Sequence, residues 1–235
     1  MRRSLIDDVV YTDEVDELGP PIVFENAQIR RMLRLAEAGE SDVFYDLGSG
    51  WGQNLIIAAT EFGVQRAIGF EKDDGRFRRS ARRIKRLSAK LPETAKRIRV
   101  LQTDFLRLPE RGRDSVRLSE ATIVFLGLDL LPKEVEGLLG QLRDGCRLVY
   151  HNCSLIPEIM PDKADFPFFV SVKPFRRPRS ELEWLSAVVP KPNSSLHKGK
   201  PDAVELWDEL AHDSKVSARY NLAPEYKRRI RKLLG

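Results

Sequence analysis

A short apolar run from Val43 to Leu47 opens directly onto Gly48-Ser49-Gly50-Trp51-Gly52. Beyond it, Leu55, Ile56, Ala59 and Phe62 recur with helical spacing. The chain must therefore place a buried strand, a tight turn and a helix in immediate succession. Glycine suits such a turn because the backbone has to bend sharply and let a ligand approach where a Cβ would intrude. A second apolar run, Ala67-Ile68-Gly69-Phe70, ends in Glu71. At the end of an adjacent strand, an acidic side chain can accept two hydrogen bonds from a ribose diol.

Two ligand classes use a turn of this kind. A dinucleotide site would carry glycines at the first, third and sixth positions, but here Gly48, Gly50 and Gly52 alternate and Gln53 takes the sixth. Asp46 also ends the strand just before the glycines. A carboxylate there would repel a pyrophosphate and suit a cationic ligand bearing an amino group and a sulfonium.

The remaining pattern alternates strands with helices over 43–62, 66–90 and 97–108, then a strand at 122–126, a helix from near Pro132 through Leu142, and a strand from Cys146 to His151. Right-handed crossovers make such a sheet parallel, with a ligand at the carboxyl ends of its central strands. Phe166 to Phe175 and Glu183 to Val189 are expected to add an antiparallel pair at one edge. Phe24 to Ala38 has helical spacing.

With Asp46, the glycine turn, Glu71 and Thr103-Asp104-Phe105 after a third strand, the chain resembles the class I methyltransferases that use S-adenosylmethionine. Gln53, Lys72, Asp104-Phe105-Leu106, the strand Thr122 to Leu126 with Pro132-Lys133-Glu134-Val135, and His197-Lys198-Gly199-Lys200-Pro201 resemble more narrowly the Dot1-type lysine methyltransferases and their small archaeal relatives. Gly127-Leu128-Asp129 stands where Dot1 enzymes carry asparagines, and His197 and Val204 stand where aromatic residues flank Gly-Lys-Pro.

The resemblance implies a Rossmann-like α/β fold, a mainly parallel seven-stranded sheet with helices on both faces. It implies S-adenosylmethionine held by Asp46, Gly48, Ser49, Gly50, Gly52, Gln53, Glu71, Lys72, Asp104 and Phe105. Asp104 would accept from the adenine amine while Phe105 packs on the ring. Glu25 and Asn26 are candidates for the amino group, with a helix N-cap as the alternative for both, a role Asn26 would fill well.

A lysine nucleophile has to be neutral, although its reference pKa is about 10.4, and an apolar channel that desolvates the ammonium brings this down. Phe125, Leu126, Leu128 and Leu130 are the expected walls. Asp129 could steer the ammonium or accept a proton through water, and His151 is a candidate acid–base group; a surface turn and a structural histidine are the bland alternatives. Trp51 could shield the methionine portion or anchor the helix start.

With 235 residues, 42% hydrophobic, the chain can bury one large core. The organisation expected is an acidic arm over 1–21, a catalytic domain over 22–213 and a basic tail over 214–235. No apolar run approaches the roughly 20 residues a bilayer requires, so an intracellular, cytoplasmic protein is expected, with chromatin association consistent with its basic clusters. Cys146 and Cys153 lack partners at metal-ligand spacing, so no metal is expected.

The net charge of +5 is unevenly spread. One cluster lies between Arg76 and Lys90, where a solvated helix face is slightly favoured. The other, Lys227, Arg228, Arg229, Arg231 and Lys232, is the better nucleic-acid candidate. No apolar heptad suggests an oligomer, and a monomer is expected.

The leading expectation is methyl transfer to a lysine of a basic, nucleic-acid-associated protein. RNA, DNA or small-molecule methylation on the same fold is the alternative, although residues 127–130 lack the Asn/Asp-Pro-Pro-aromatic motif of amino-directed nucleobase enzymes. A non-catalytic cofactor-binding module that recognises nucleic acid is a third reading.

Overall fold

The computed structural model describes residues 24–108, 116–127, 132–151, 159–165 and 168–188. The strands form a seven-stranded sheet in the order β3-β2-β1-β4-β5-β7-β6, with β1 at Val43–Leu47, β2 at Arg66–Glu71, β3 at Ile98–Gln102, β4 at Ile123–Leu126, β5 at Arg147–His151, β6 at Lys163–Asp165 and β7 at Phe168–Val172. The chain divides into two compact units, Met1–Ile123 and Val124–Gly235.

In the first unit every residue of β1 is buried, as a strand covered on both faces requires. It pairs parallel with β2 from Val43↔Arg66 to Leu47↔Phe70, and β2 pairs parallel with β3 from Ala67↔Ile98 to Glu71↔Gln102. That register brings the carboxyl ends of β1 and β2 side by side, so the chain leaves both strands at one rim.

Helix α1 (Asn26–Leu35) buries Ile29, Met32 and Leu33. It is joined to α2 (Gln53–Glu61) by a bidentate ion pair, with Arg30 Nε and Nη2 donating to the Glu61 carboxylate at 2.7 and 2.9 Å. Residues Gln53 to Ala59 of α2 are all buried. Helix α3 (Asp74–Ser88) starts at Asp73, whose carboxylate accepts the Arg76 N–H at 2.7 Å, the expected N-cap bond. The short α4 (Pro92–Ala95) begins on a proline, whose missing N–H is no loss there.

The second unit contains α5 (Pro132–Gly140), β5, the β6–β7 hairpin and α6 (Glu181–Val188). Lys173 Nζ donates to the carbonyls of Leu139 at 3.2 Å, Gly140 at 3.1 Å and Leu142, placing a cation on the open carbonyls that end α5. Strand β7 runs antiparallel to both β5 and β6.

One expectation is corrected here: 183–189 is not the second edge strand. Ser180 Oγ accepts the Glu183 N–H at 3.1 Å, which caps a helix, and Trp184 is buried with its Nε1 donating to the Ile159 carbonyl at 3.1 Å. The antiparallel partner of β7 is β6 instead. Ser180-x-x-Glu183 is a capping signature, and it outweighs the β propensity of Trp184 and the valines.

The acidic arm, the basic tail, Asp129, Leu128, Leu130 and the Gly199-Lys200-Pro201 segment lie outside the described residues. Among the described residues, no helix is long and apolar enough to cross a membrane.

Candidate cofactor site

The glycine turn forms where β1 meets α2. Gly48, Gly50 and Gly52 have φ of 81°, 50° and 72°, left-handed backbone that a Cβ opposes. The N–H groups of Gly48 and Ser49 both donate to the Phe70 carbonyl at 2.9 Å, tying the turn to the end of β2. From that same strand end, Glu71 reaches back: its Oε2 accepts the Gly50 N–H at 2.8 Å and its Oε1 accepts the Asp73 N–H at 2.9 Å. Each carboxylate oxygen keeps a further acceptor lone pair, so the side chain that pins the turn can still receive hydroxyl donors.

Around Gly50 the space is open, since an ideal Cβ built there meets no heavy atom within 4 Å. Gly52 and Gly69 differ. A Cβ on Gly52 would fall on Ser80 Oγ from α3, and one on Gly69 would meet Ser49 Oγ at 2.5 Å and Leu55 Cδ1 at 2.6 Å. These two glycines are demanded by close packing behind the turn, and Gly50 by the ligand side and its positive φ.

Asp46 is 1% exposed, and its Oδ2 meets no hydrogen-bond partner among the described residues; the same holds for Ser49 Oγ. Burial pushes the Asp46 carboxyl up from 3.8 to about 7, with Glu71 adding to the rise and a hydrogen bond from Asn54 opposing it. A buried carboxylate with an orphaned oxygen fits an organic cation, because a positive charge nearby would restore its ionised form. A pyrophosphate would do the opposite. The donor set therefore fits the ammonium and sulfonium of S-adenosylmethionine.

Gln53, at the start of α2, donates from Nε2 to Asn26 Oδ1, which links the first turns of α1 and α2. Glu25, rather than Asn26, is the N-cap of α1, and its N–H donates to Gln28 Oε1 at 2.9 Å in a capping box. Asn26 is thus freed from the capping role that was its bland alternative. Lys72 is exposed beside Glu71. Asp104 accepts the Leu106 N–H at 3.1 Å and starts the 3-10 turn Phe105–Arg107, in which Phe105 is buried. The turn role of Asp104 is thus real, and it leaves Oδ2 with Arg107 at 4.0 Å as its ion-pair partner.

Trp51 faces α3. Its indole lies under the Arg79 guanidinium at 4.0 Å, and its carbonyl accepts from Arg83 Nη1 at 2.9 Å. Burial, with Arg79 nearby, brings Arg83 down to about 10, which leaves it protonated at neutral pH. Asn54, Ser80, Arg79 and Arg83 are parts of this turn that sequence reasoning did not assign. Asn54 follows the singled-out Gln53, but the other three contact the turn across a long loop of chain, and no local pattern marks them.

Within the second unit, Phe125 at the end of β4 and His151 at the end of β5 both pack edge-on against Phe168, with centroids 6.5 and 5.6 Å apart. Burial takes His151 down to about 4, so at neutral pH it is the uncharged imidazole.

Comparison with known proteins agrees with this geometry. The profile of the family described as Histone methylation protein DOT1 matches residues 24–164. A protein-lysine N-methyltransferase of Saccharolobus islandicus (strain REY15A) is 31% identical over 128 residues, covering 52% of this chain and 70% of that protein. An RNA methyltransferase from Salinibacter ruber, solved in complex with S-adenosyl-L-homocysteine, aligns with a TM-score of 0.53 at 30% identity, over 68% of this chain and 98% of that one.

Proposed function

This chain belongs to the DOT1 histone methylation family, and from that premise we propose that it methylates a lysine side chain of a basic protein. It is an S-adenosylmethionine-dependent methyltransferase of the class I fold. The observation that carries the lysine reading is the similarity to the Saccharolobus protein-lysine N-methyltransferase, 70% of whose length is matched.

The cofactor supplies an electrophilic methyl group on a sulfonium. In this reading Asp46 and Ser49 face its cationic end, Glu71 receives the ribose hydroxyls, and Asp104 with Phe105 holds the base. The Gly50 N–H bond to Glu71 keeps the turn and the carboxylate in register, so binding needs little reordering.

The chain's task toward the acceptor is to hold a neutral amine and exclude water, since in-line displacement needs alignment more than a covalent residue. An apolar, aromatic surrounding such as Phe125 and Phe168 disfavours an ammonium. His151, uncharged at neutral pH, adds no competing cation there and has no imidazolium proton to give. Its role in this reading is to shape the apolar wall and accept a hydrogen bond.

RNA is the second reading, supported by the Salinibacter RNA methyltransferase, 98% of which is aligned. The test is transfer of labelled methyl from S-adenosylmethionine into basic chromatin-type proteins, structured RNA and a metabolite extract, with Gly50→Arg as the blank. Nuclease-resistant label that maps to lysine is the expected result. Label confined to RNA would establish the second reading, and label confined to metabolites would refute both.

A further inference from the structure

The outward face of α3 carries a charge pattern that the cofactor site does not use. Within Asp74–Ser88 stand Arg76, Arg78, Arg79, Arg82, Arg83, Lys85 and Arg86, with Asp74 the sole acid. Arg79 and Arg83 are turned inward onto Trp51. Arg78 pairs with Asp74 at 2.9 Å yet stays 72% exposed. Arg82, Lys85, Arg86 and, just past the helix, Lys90 are exposed, and none of them meets a carboxylate among the described residues.

A solvated helix face is the ordinary explanation for a charge run, but such faces interleave signs. Here Arg78/Arg82 and Arg82/Arg86 are like-charge pairs one turn apart, as are Arg79/Arg83, and each opposes helix formation. The helix dipole favours cations in the last turn, which covers Lys85 and Arg86 but not Arg78 or Arg82. Phe77, Ile84 and Leu87 lie on the less exposed side of the helix, whereas Arg82, Lys85 and Arg86 are exposed. The row is therefore a local cost that an external polyanion would relieve.

The kind of polyanion follows from what the face lacks. A membrane-surface helix exposes an apolar stripe beside its cations, and a protein interface centres on apolar or aromatic anchors. Among the described residues the exposed large hydrophobic side chain is Leu106, which is not on this helix. A duplex presents a continuous anionic ridge, about one charge per 1.7 Å of axis, and needs no apolar anchor. At about 1.5 Å rise per residue, Arg78, Arg82 and Arg86 form a row of roughly 12 Å, long enough to face several phosphates. We infer that the outward face of α3, centred on Arg82, Lys85 and Arg86, docks the phosphate backbone of duplex nucleic acid without reading its bases.

The test is fluorescence anisotropy of the full chain with a labelled random-sequence DNA duplex across a salt series. Arg82→Gln/Lys85→Gln/Arg86→Gln should lower the slope of log affinity against log salt by about 2.7, at about 0.9 per lost contact, and weaken binding on the order of 100-fold near ~0.15 M salt. Arg82→Lys/Arg86→Lys should keep the wild-type slope. In the unmutated protein, saturating duplex should protect Lys85 from an amine-reactive reagent, a readout independent of any variant's folding. An unchanged slope in the glutamine variant, or equal Lys85 reactivity with and without duplex, would overturn the inference. So would a loss confined to phosphatidylserine vesicles or polyglutamate.

Discussion

Cofactor binding should be coupled to deprotonation of Asp46. In the ligand-free protein this carboxyl sits at about 7 because it is buried, so near neutrality about half of it is protonated. A cation bound beside it favours the ionised form, and full restoration toward 3.8 would correspond to roughly 4 kcal/mol of coupling. Affinity should be flat well above pH 7 and fall by up to tenfold per pH unit below it, a loss of roughly 100-fold between pH 8 and pH 5.

The assay is calorimetry with S-adenosylhomocysteine in buffers of differing ionisation enthalpy. Close to one proton should be released per ligand bound at pH 6, and about half of one at pH 7. Working at or below about pH 7 keeps the ligand's own amino group, with an α-amino reference near 7.7–8.0, mostly protonated. Asp46→Asn should abolish the proton release and flatten the profile. Affinity independent of pH between 5.5 and 7.5, or an unchanged slope in Asp46→Asn, would refute the assignment of Asp46 to the cationic end of the ligand.

The same carboxyl makes a prediction about the empty protein. Its folded pKa lies above the unfolded value of 3.8, so its stabilisation is fully present below that value and is lost as pH rises through about 7. Asp46→Asn should thus melt higher than the wild type at pH 8, as thermal scans without ligand can check. His151 has the opposite sign: its folded value of about 4 lies below 6.5, so stability should fall by about 3 kcal/mol as pH drops across that window, and His151→Phe should blunt the loss in urea titrations. Gly50→Ala should cost about 1–2 kcal/mol of stability from its φ of 50° alone and still fold, whereas Gly50→Arg should fold and lose ligand binding by calorimetry. Gly69→Ala places a methyl at 2.5 Å from Ser49 Oγ and 2.6 Å from Leu55 Cδ1, and a loss of about 1–3 kcal/mol in chemical denaturation is expected.

The strand, turn and helix around Gly48 to Gly52 were legible because their signals are local: a continuous apolar run, alternating glycines and helical spacing fall within twenty residues of chain. Glu71 was legible for the same reason, as the acid that ends the next strand. The succession of strands and helices from β1 to β5 was legible from their alternation, whereas the strand order within the sheet was not. The far edge was half-legible. Phe168–Val172 lay inside the expected strand, but Lys163–Asp165 is too short and polar to stand out, and the capping signature ahead of Trp184 competes with the β propensity of the residues after it. Contacts such as Gln53 to Asn26 join residues 27 apart, and no periodicity encodes such a pairing.

Trp51 illustrates how a residue can be found by its letters while its partners stay hidden in the sequence. From sequence it could shield the ligand or anchor the helix, and the structure gives its indole to Arg79 and its carbonyl to Arg83. Helix α3 thereby supports the glycine turn from behind, with Ser80 filling the space that Gly52 leaves. This also divides the basic run of α3 by function. The cations one turn apart at Arg79 and Arg83 have intramolecular work that compensates their mutual repulsion, whereas Arg82 and Arg86, one step around the helix, have none among the described residues. Composition alone treats these arginines as one cluster, and the geometry separates a buttress for the cofactor turn from a surface whose charge meets no carboxylate among the described residues.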